Sequence, residues 1–283
     1  MPRPRIGAHV SAAVKLSNGI LRAVEIGAEC IQIFGASPRA WAVRGQAASD
    51  IEEFKRARVA AGIAPVFLHA SYLVNLASPE SAIRQKSEVN LASHLKIADN
   101  IGAEGLIFHV GSGKELPKHE ALEIVVGSIK RILSYVKGGT RLVIENSAGG
   151  GAKIGSSPEE IGDILARVKS PRLKVCWDTA HAFEAGRIER YDEANVGYLV
   201  DRLHKSVGIQ NVVALHVNDS KTPFNSRHDR HENLGEGYIG IDGFRALAGE
   251  KRLHHAAWIL EVPGFDGEGP DKRNIEILKN CFQ

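Results

Sequence analysis

One repeated unit limits the fold of this chain more than any other feature. It is a short apolar run, a polar side chain at its end, and then a longer amphipathic stretch. Eight such runs are readable: "RIGAHVS", "CIQIFG", "PVFLHAS", "GLIFHVG", "RLVIENS", "LKVCWDT", "NVVALHVND" and "AAWILEVPG". Apolar runs of this length, bounded by turn residues, predict strands, and the stretches between them have helical length and pattern. In "SAIRQKSEVNLASHLKIADNIG", Ile83, Val89, Leu91 and Leu95 are expected to supply parts of a buried face. Ser157, Pro158 and Glu160 make a helix start, with the acid at the capping-box position, and Ser78 with Pro79 marks another. Alternating strands and helices predict a parallel sheet. Eight repeats in 283 residues predict an α/β fold, a closed (β/α)8 TIM barrel forming a single domain over 1–283; an open doubly wound sheet is the alternative.

Composition removes several classes. Cys30, Cys176 and Cys281 are odd in number and far apart, so neither a disulfide framework nor a thiolate zinc knuckle is expected, and a reducing, cytoplasmic setting is. The opening "MPRPRIGAHVS" lacks the apolar stretch of a signal peptide, and no apolar run is long enough for a membrane span. "SAGGGAK" does not complete a phosphate loop, and no strand-linked GxGxxG pattern exists, so no nucleotide cofactor is expected. A formal charge of +3 leaves a nucleic-acid partner to be decided by local charge.

The strand ends carry the chemistry. "FLHAS" supplies His69, "IFHVG" His109, "VIEN" Glu145, "CWDTAH" Asp178 and His181, "ALHVND" His216, and "ILEVPG" Glu261. A barrel gathers such positions at its C-terminal rim, where loops build active sites. Taken singly, each is explained as a hydrogen-bonded core histidine or a helix-capping acid. Repetition at six strand ends is not explained that way. Residues two apart on a strand face the same way, so Val212, Ala214 and His216 share a face, as do Ile259 and Glu261. Asp229 and His231 in "DRH" share a side if that segment is extended.

These nine candidates are too many for one zinc, which takes about four ligands. Two or three ions would distribute them, and the imidazoles argue against simple magnesium. Three divalent ions against the carboxylates of Glu145, Asp178, Asp229 and Glu261 leave net positive charge, suited to an anionic phosphodiester. Clustered metals polarise phosphate oxygens, acidify water and stabilise a leaving oxygen.

"HASYLVNLA" at 69–77, "VCWDTAHAFEAG" at 175–186 and "HVNDSKTPFNSRHDRHENLGEG" at 216–237 strongly resemble the endonuclease IV family of apurinic/apyrimidinic DNA endonucleases, over essentially the whole chain. The resemblance implies a TIM barrel with three Zn2+ ions, open to Mn2+ or Fe2+ substitution. One ion falls to His69, His109 and the bridging Glu145, a second to Glu145, Asp178, His216 and Glu261, and the third to His181, Asp229 and His231. It implies hydrolysis 5′ to an abasic site in double-stranded DNA, leaving a 3′-hydroxyl and a 5′-deoxyribose phosphate, removal of blocked 3′ ends, and a monomer. Tyr72 and Leu73 are implied to enter the base stack, with Arg39 inserting beside them. Asn75 either fixes that loop or contacts DNA. Lys221, Arg227 and Arg230 are candidate phosphate contacts. Ala180 stands where members commonly carry Cys, beside but outside the ligand set. His9 is a candidate support for the site. The competing readings are a divalent-metal sugar isomerase or epimerase on the same barrel, and a noncatalytic DNA-damage sensor.

Overall fold

The computed structural model describes residues 3–283. Eight parallel strands close into a barrel: β1 (Ile6–His9), β2 (Cys30–Phe34), β3 (Val66–His69), β4 (Gly105–His109), β5 (Arg141–Glu145), β6 (Leu173–Asp178), β7 (Val212–His216) and β10 (Ala257–Leu260). Each pairs with its sequence neighbours, and β1 meets β10 to close the ring. The open-sheet alternative is thereby removed. Two further strands, β8 (Asp219–Ser220) and β9 (His231–Glu232), form an antiparallel hairpin outside the barrel. The sequence pattern predicts "NVVALHVND" as one strand; the chain instead leaves the barrel at His216, and Asp219 already belongs to the hairpin.

The helices are α1 (Ser17–Ile26), α2 (Ala48–Ala61), α3 (Ser81–Ile101), α4 (Lys118–Tyr135), α5 (Pro158–Val168), α6 (Thr179–Glu184), α7 (Glu193–Val207), α8 (Gly240–Gly249) and α9 (Lys272–Asn280). On α3, Leu91 and Leu95 are fully buried, whereas Val89 is exposed, contrary to the sequence expectation. The helical period explains the miss: Val89 lies about 200° from Leu91, on the opposite face. The start of α3 is also corrected. Ser78 accepts a hydrogen bond from the Glu80 amide two residues on, which makes a turn, and the helix begins only at Ser81. The α5 start keeps its serine cap, Ser157 accepting from the Glu160 amide. The Glu160 carboxylate reaches the amides of Gly155 and Ser156 instead of the capping residue itself.

Two apolar shells hold the barrel. The larger lies between strands and helices. The smaller fills the barrel interior and consists of Cys30, Phe67, Ile107, Val143, Cys176, Ala214, Ala257 and Ile259. Its members set the inward parity of every barrel strand except β1. On β1 the equivalent place is Gly7, where an added Cβ would lie 1.8 Å from the Cys30 carbonyl oxygen, so no side chain fits. Among the described residues, no helix is long and apolar enough to cross a membrane.

Candidate metal centre

One step of two residues from the interior shell leads to the rim. Phe67 leads to His69, Ile107 to His109, Val143 to Glu145, Cys176 to Asp178, Ala214 to His216 and Ile259 to Glu261. Each polar side chain therefore points over the apolar plug that closes the barrel below it. His181 comes from the first turn of α6, whose N-cap is Asp178: the Asp178 Oδ1 accepts from the His181 amide at 2.7 Å. His231 comes from β9, and Asp229 from the exposed loop before it.

Glu145 lies at the centre. Its Oε2 is 3.1 Å from His69 Nε2 and 3.4 Å from His109 Nε2. Its Oε1 is 3.0 Å from His216 Nδ1 and 3.2 Å from His181 Nδ1. His216 Nδ1 is also 3.1 Å from Glu261 Oε2. Three donor groups result, each with its ligating atoms within 4.8 Å of one another: His69, His109 and Glu145; Glu145, Asp178, His216 and Glu261; and Asp178, His181 and His231. Asp229 adjoins the third group, 3.3 Å from His181 Nε2 and 3.6 Å from His231 Nε2. Glu145 and Asp178 each belong to two groups.

The residues fit divalent cations on a test independent of motif. A histidine that ligates through one nitrogen usually donates its other N–H to a fixed acceptor. Here His69 Nδ1 faces the Ala70 carbonyl at 2.9 Å, His181 Nδ1 the Asn146 carbonyl at 2.9 Å, and His231 Nδ1 the Glu261 carbonyl at 3.2 Å. In His216 the roles reverse, and Nε2 donates to Gln32 Oε1 at 2.8 Å while Nδ1 faces the carboxylates. Nε2 of both His181 and His231 is buried with no hydrogen-bond partner.

Electrostatics point the same way. Burial opposes ionisation of Glu145, yet His109, His216 and His181 outweigh it and hold the carboxyl well below its ordinary range. Burial likewise opposes charge on His181, and Asp178 and Asp229 reverse it, raising the imidazole well above its usual value. His109 has weaker support, and burial lowers it to about 4. Burial raises Asp178 despite His181 and His231 nearby. Carboxylates held ionised in a buried cluster call for compensating positive charge, which bound cations would supply.

Three supporting residues lie outside the set of candidates that the sequence singled out. Gln32 is fully buried and donates to Glu261 Oε1 at 2.5 Å, besides holding His216. Asn218 donates to Asp178 Oδ2 at 2.7 Å. Glu184, buried at the end of α6, has its carboxyl raised to about 7, chiefly by burial. His9, noted earlier, lies 3.2 Å from Glu261 Oε1.

A cavity of about 400 Å³ opens above the centre and is lined by His69, His109, His181, Asp229, His231 and Glu261, with Phe34 and Tyr72 on its wall. Tyr72 is 66 % exposed, and its ring stands edge-on to Phe34 at 5.5 Å. Leu73 is half-buried beside it, and Arg39, Lys221, Arg227 and Arg230 are exposed. The Asn75 side chain is occupied within the protein: Oδ1 accepts from the Ala77 and Ser112 amides, and Nδ2 donates to the Ser112 carbonyl. Ala180 is fully buried beside these groups.

A closed barrel with overlapping His/Asp/Glu donor groups at its C-terminal rim defines a metal-dependent enzyme of the xylose isomerase-like TIM barrel class, and the model of that family matches residues 20–281. The chain is 38% identical over 280 residues to "Probable endonuclease 4" of Persephonella marina, covering 99% of this chain and 97% of that protein. It is 37% identical to the protein of the same name from Halorhodospira halophila, covering 99% and 94%. The crystal structure of endonuclease IV from Thermus thermophilus superposes with a TM-score of 0.86 at 34% identity, covering 98% of each chain. Within the class, this protein belongs to the endonuclease IV family. A D-tagatose 3-epimerase-like protein, at 19% identity and a TM-score of 0.72, shares the fold alone.

Proposed function

We propose that the protein is a DNA repair endonuclease that hydrolyses the phosphodiester 5′ to an abasic site, leaving a 3′-hydroxyl and a 5′-deoxyribose phosphate. It also clears blocked 3′ ends and acts as a monomer with three zinc ions. The observation that carries this reading is the set of three adjacent donor groups, the first two joined through Glu145, under one open cavity. A single-ion sugar enzyme has no use for the third group.

His69, His109 and Glu145 would hold one ion; Glu145, Asp178, His216 and Glu261 a second; His181, Asp229 and His231 the third. Bound there, the ions supply Lewis-acid polarisation of a phosphate oxygen and acidify water. The chain's own part is placement. Glu145 sets the separation of two donor groups by offering one oxygen to each. Gln32 and the backbone carbonyls orient the imidazoles. The apolar plug below keeps water out of the barrel interior. At the rim, Tyr72 and Leu73 replace the stacking lost at an abasic nucleotide, which leaves the stack at lower cost than an intact one. Arg39 enters beside them, Asn75 fixes their loop, and Lys221, Arg227 and Arg230 take phosphates.

The test uses protein of measured zinc content on a duplex with one defined abasic site, and an intact duplex as control. Incision leaving a 3′-hydroxyl is expected, with Glu145→Gln lowering both zinc content and turnover. A 3′-side cut of the lyase type, or Glu145→Gln with unchanged turnover and unchanged zinc, overturns the reading.

A further inference from the structure

Glu184 is fully buried, belongs to none of the donor groups and closes the same short helix that carries His181. A buried carboxyl is costly unless its oxygens are engaged. Glu184 Oε1 accepts from the Ser220 hydroxyl at 2.8 Å, the Thr222 hydroxyl at 3.3 Å and the Arg230 amide at 3.2 Å. Its other oxygen is buried with no partner. Ser220 lies on β8 opposite His231 on β9, and Arg230 is the residue between Asp229 and His231. The Glu184 main-chain carbonyl accepts from the Arg227 amide at 2.9 Å. One residue therefore grips the hairpin at both of its limbs and at the peptide joining two donor side chains.

We propose that Glu184 is a positioning residue for the His181–Asp229–His231 group. His181 and Glu184, three apart, lie on one face of a rigid helical turn. That turn presents one donor directly and sets the other two through the Glu184 carboxylate. Without the Glu184 carboxylate, the mostly exposed loop 221–230 keeps the Asn225 and Arg227 amides on the Phe183 and Glu184 carbonyls and Phe224 against Phe183, but the Arg230 amide, beside the two donors, loses its acceptor. Removal of the Glu184 side chain then loosens Asp229 and His231 relative to His181 while leaving the donors on β3, β4, β5, β6 and β7 and just after β10 in place. This inference rests on reading those residues as metal donors.

The test measures zinc per chain, zinc release to a competing chelator, and amide exchange across 219–232, in the full-length wild type and in Glu184→Ala and Glu184→Gln. Glu184→Ala is expected to weaken one zinc about 10–100-fold, leave the other two unchanged, and expose the Arg230 amide to exchange. Glu184→Gln keeps the Oε1 acceptor and is expected to retain near-wild-type zinc and protection. Full zinc retention with unchanged Arg230 exchange in Glu184→Ala overturns the proposal. Equal loss in both variants also overturns it, because charge rather than the acceptor would then matter. If Glu184→Ala does not fold, Glu184→Asp, one methylene shorter, carries the same expectation and the same refutation. A His231→Ala variant that keeps the wild-type zinc content sinks the metal reading itself, a result distinct from retention in the Glu184 variants.

Discussion

At the scale of single residues, parity made most of the centre legible. The two-residue step that leads from Ile107 to His109 and from Ala214 to His216 needs only strand geometry and the identity of the apolar plug. The same step from Cys30 reaches Gln32, a lone amide in "CIQIF". Its position was therefore legible, but its role was not. A glutamine in a strand suggests no metal chemistry, and its partners His216 and Glu261 are 184 and 229 residues away. Gln32 matters because it chooses which nitrogen of His216 carries the proton. Gln32→Leu leaves His216 Nε2–H buried without an acceptor, which costs about 1–3 kcal/mol and permits the ring to flip. Zinc affinity is expected to fall about 10–100-fold, and the His216 ring nitrogen shifts, read by NMR, are expected to show a changed tautomer. An unchanged tautomer in Gln32→Leu rules this role out.

Among the elements, the barrel strands followed from local pattern, whereas the β8–β9 hairpin did not. Its four residues carry no apolar alternation; Asp219 and Glu232, Ser220 and His231 pair because side chains elsewhere hold the intervening loop. Asp219 is the hub of the following turn. Its carboxylate accepts from the amides of Ser220, Gly235, Gly237, Ile239 and Gly240 at 2.9–3.2 Å. A Cβ on Gly237 would lie 2.4 Å from the Ser220 carbonyl oxygen, so the chain passes too closely there for any side chain. "NDS" and "GEG" are both visible in the sequence, but only their meeting in space shows that an aspartate is closing a glycine turn. Asp219→Ala removes the acceptor of five amides, that of Ser220 buried and the others part-buried, and a loss of about 1–3 kcal/mol is expected in urea unfolding. Asp219→Asn, which keeps one acceptor oxygen, is expected to fall between it and wild type. Wild-type unfolding midpoints in Asp219→Ala would show that the turn is held by something else.

Across the whole molecule, charge is sorted by face rather than by total. The net charge of +3 is too small to attract a duplex by itself. At the N-terminal mouth of the barrel, Arg5 and Arg58 bond the carbonyls of Gly62 and Gly102, which end α2 and α3, so these cations are spent on helix termini. At the opposite rim, Arg39 has no carboxylate partner among the described ion pairs, and Lys221 reaches only Glu232 at 3.5 Å, a weak exposed pair. On the proposed reading, duplex binding belongs to the rim that holds the donor groups, and its phosphate contacts would carry no base information. Each phosphate contact removed should lower the slope of log affinity against log salt by about one. Arg39→Ala with Lys221→Ala is expected to reduce that slope by about two. If Arg39 meets phosphate alone, intact and abasic duplexes lose affinity alike; if it enters the lesion, the abasic duplex loses more. Tyr72→Ala is expected to leave the slope unchanged and weaken only the abasic complex, because stacking is not an ionic contact. Fluorescence anisotropy over a salt series separates the two effects. A slope that Arg39→Ala with Lys221→Ala leaves unchanged would move the DNA off this rim, and equal loss on both duplexes in Tyr72→Ala would end its role as a lesion-selective wedge.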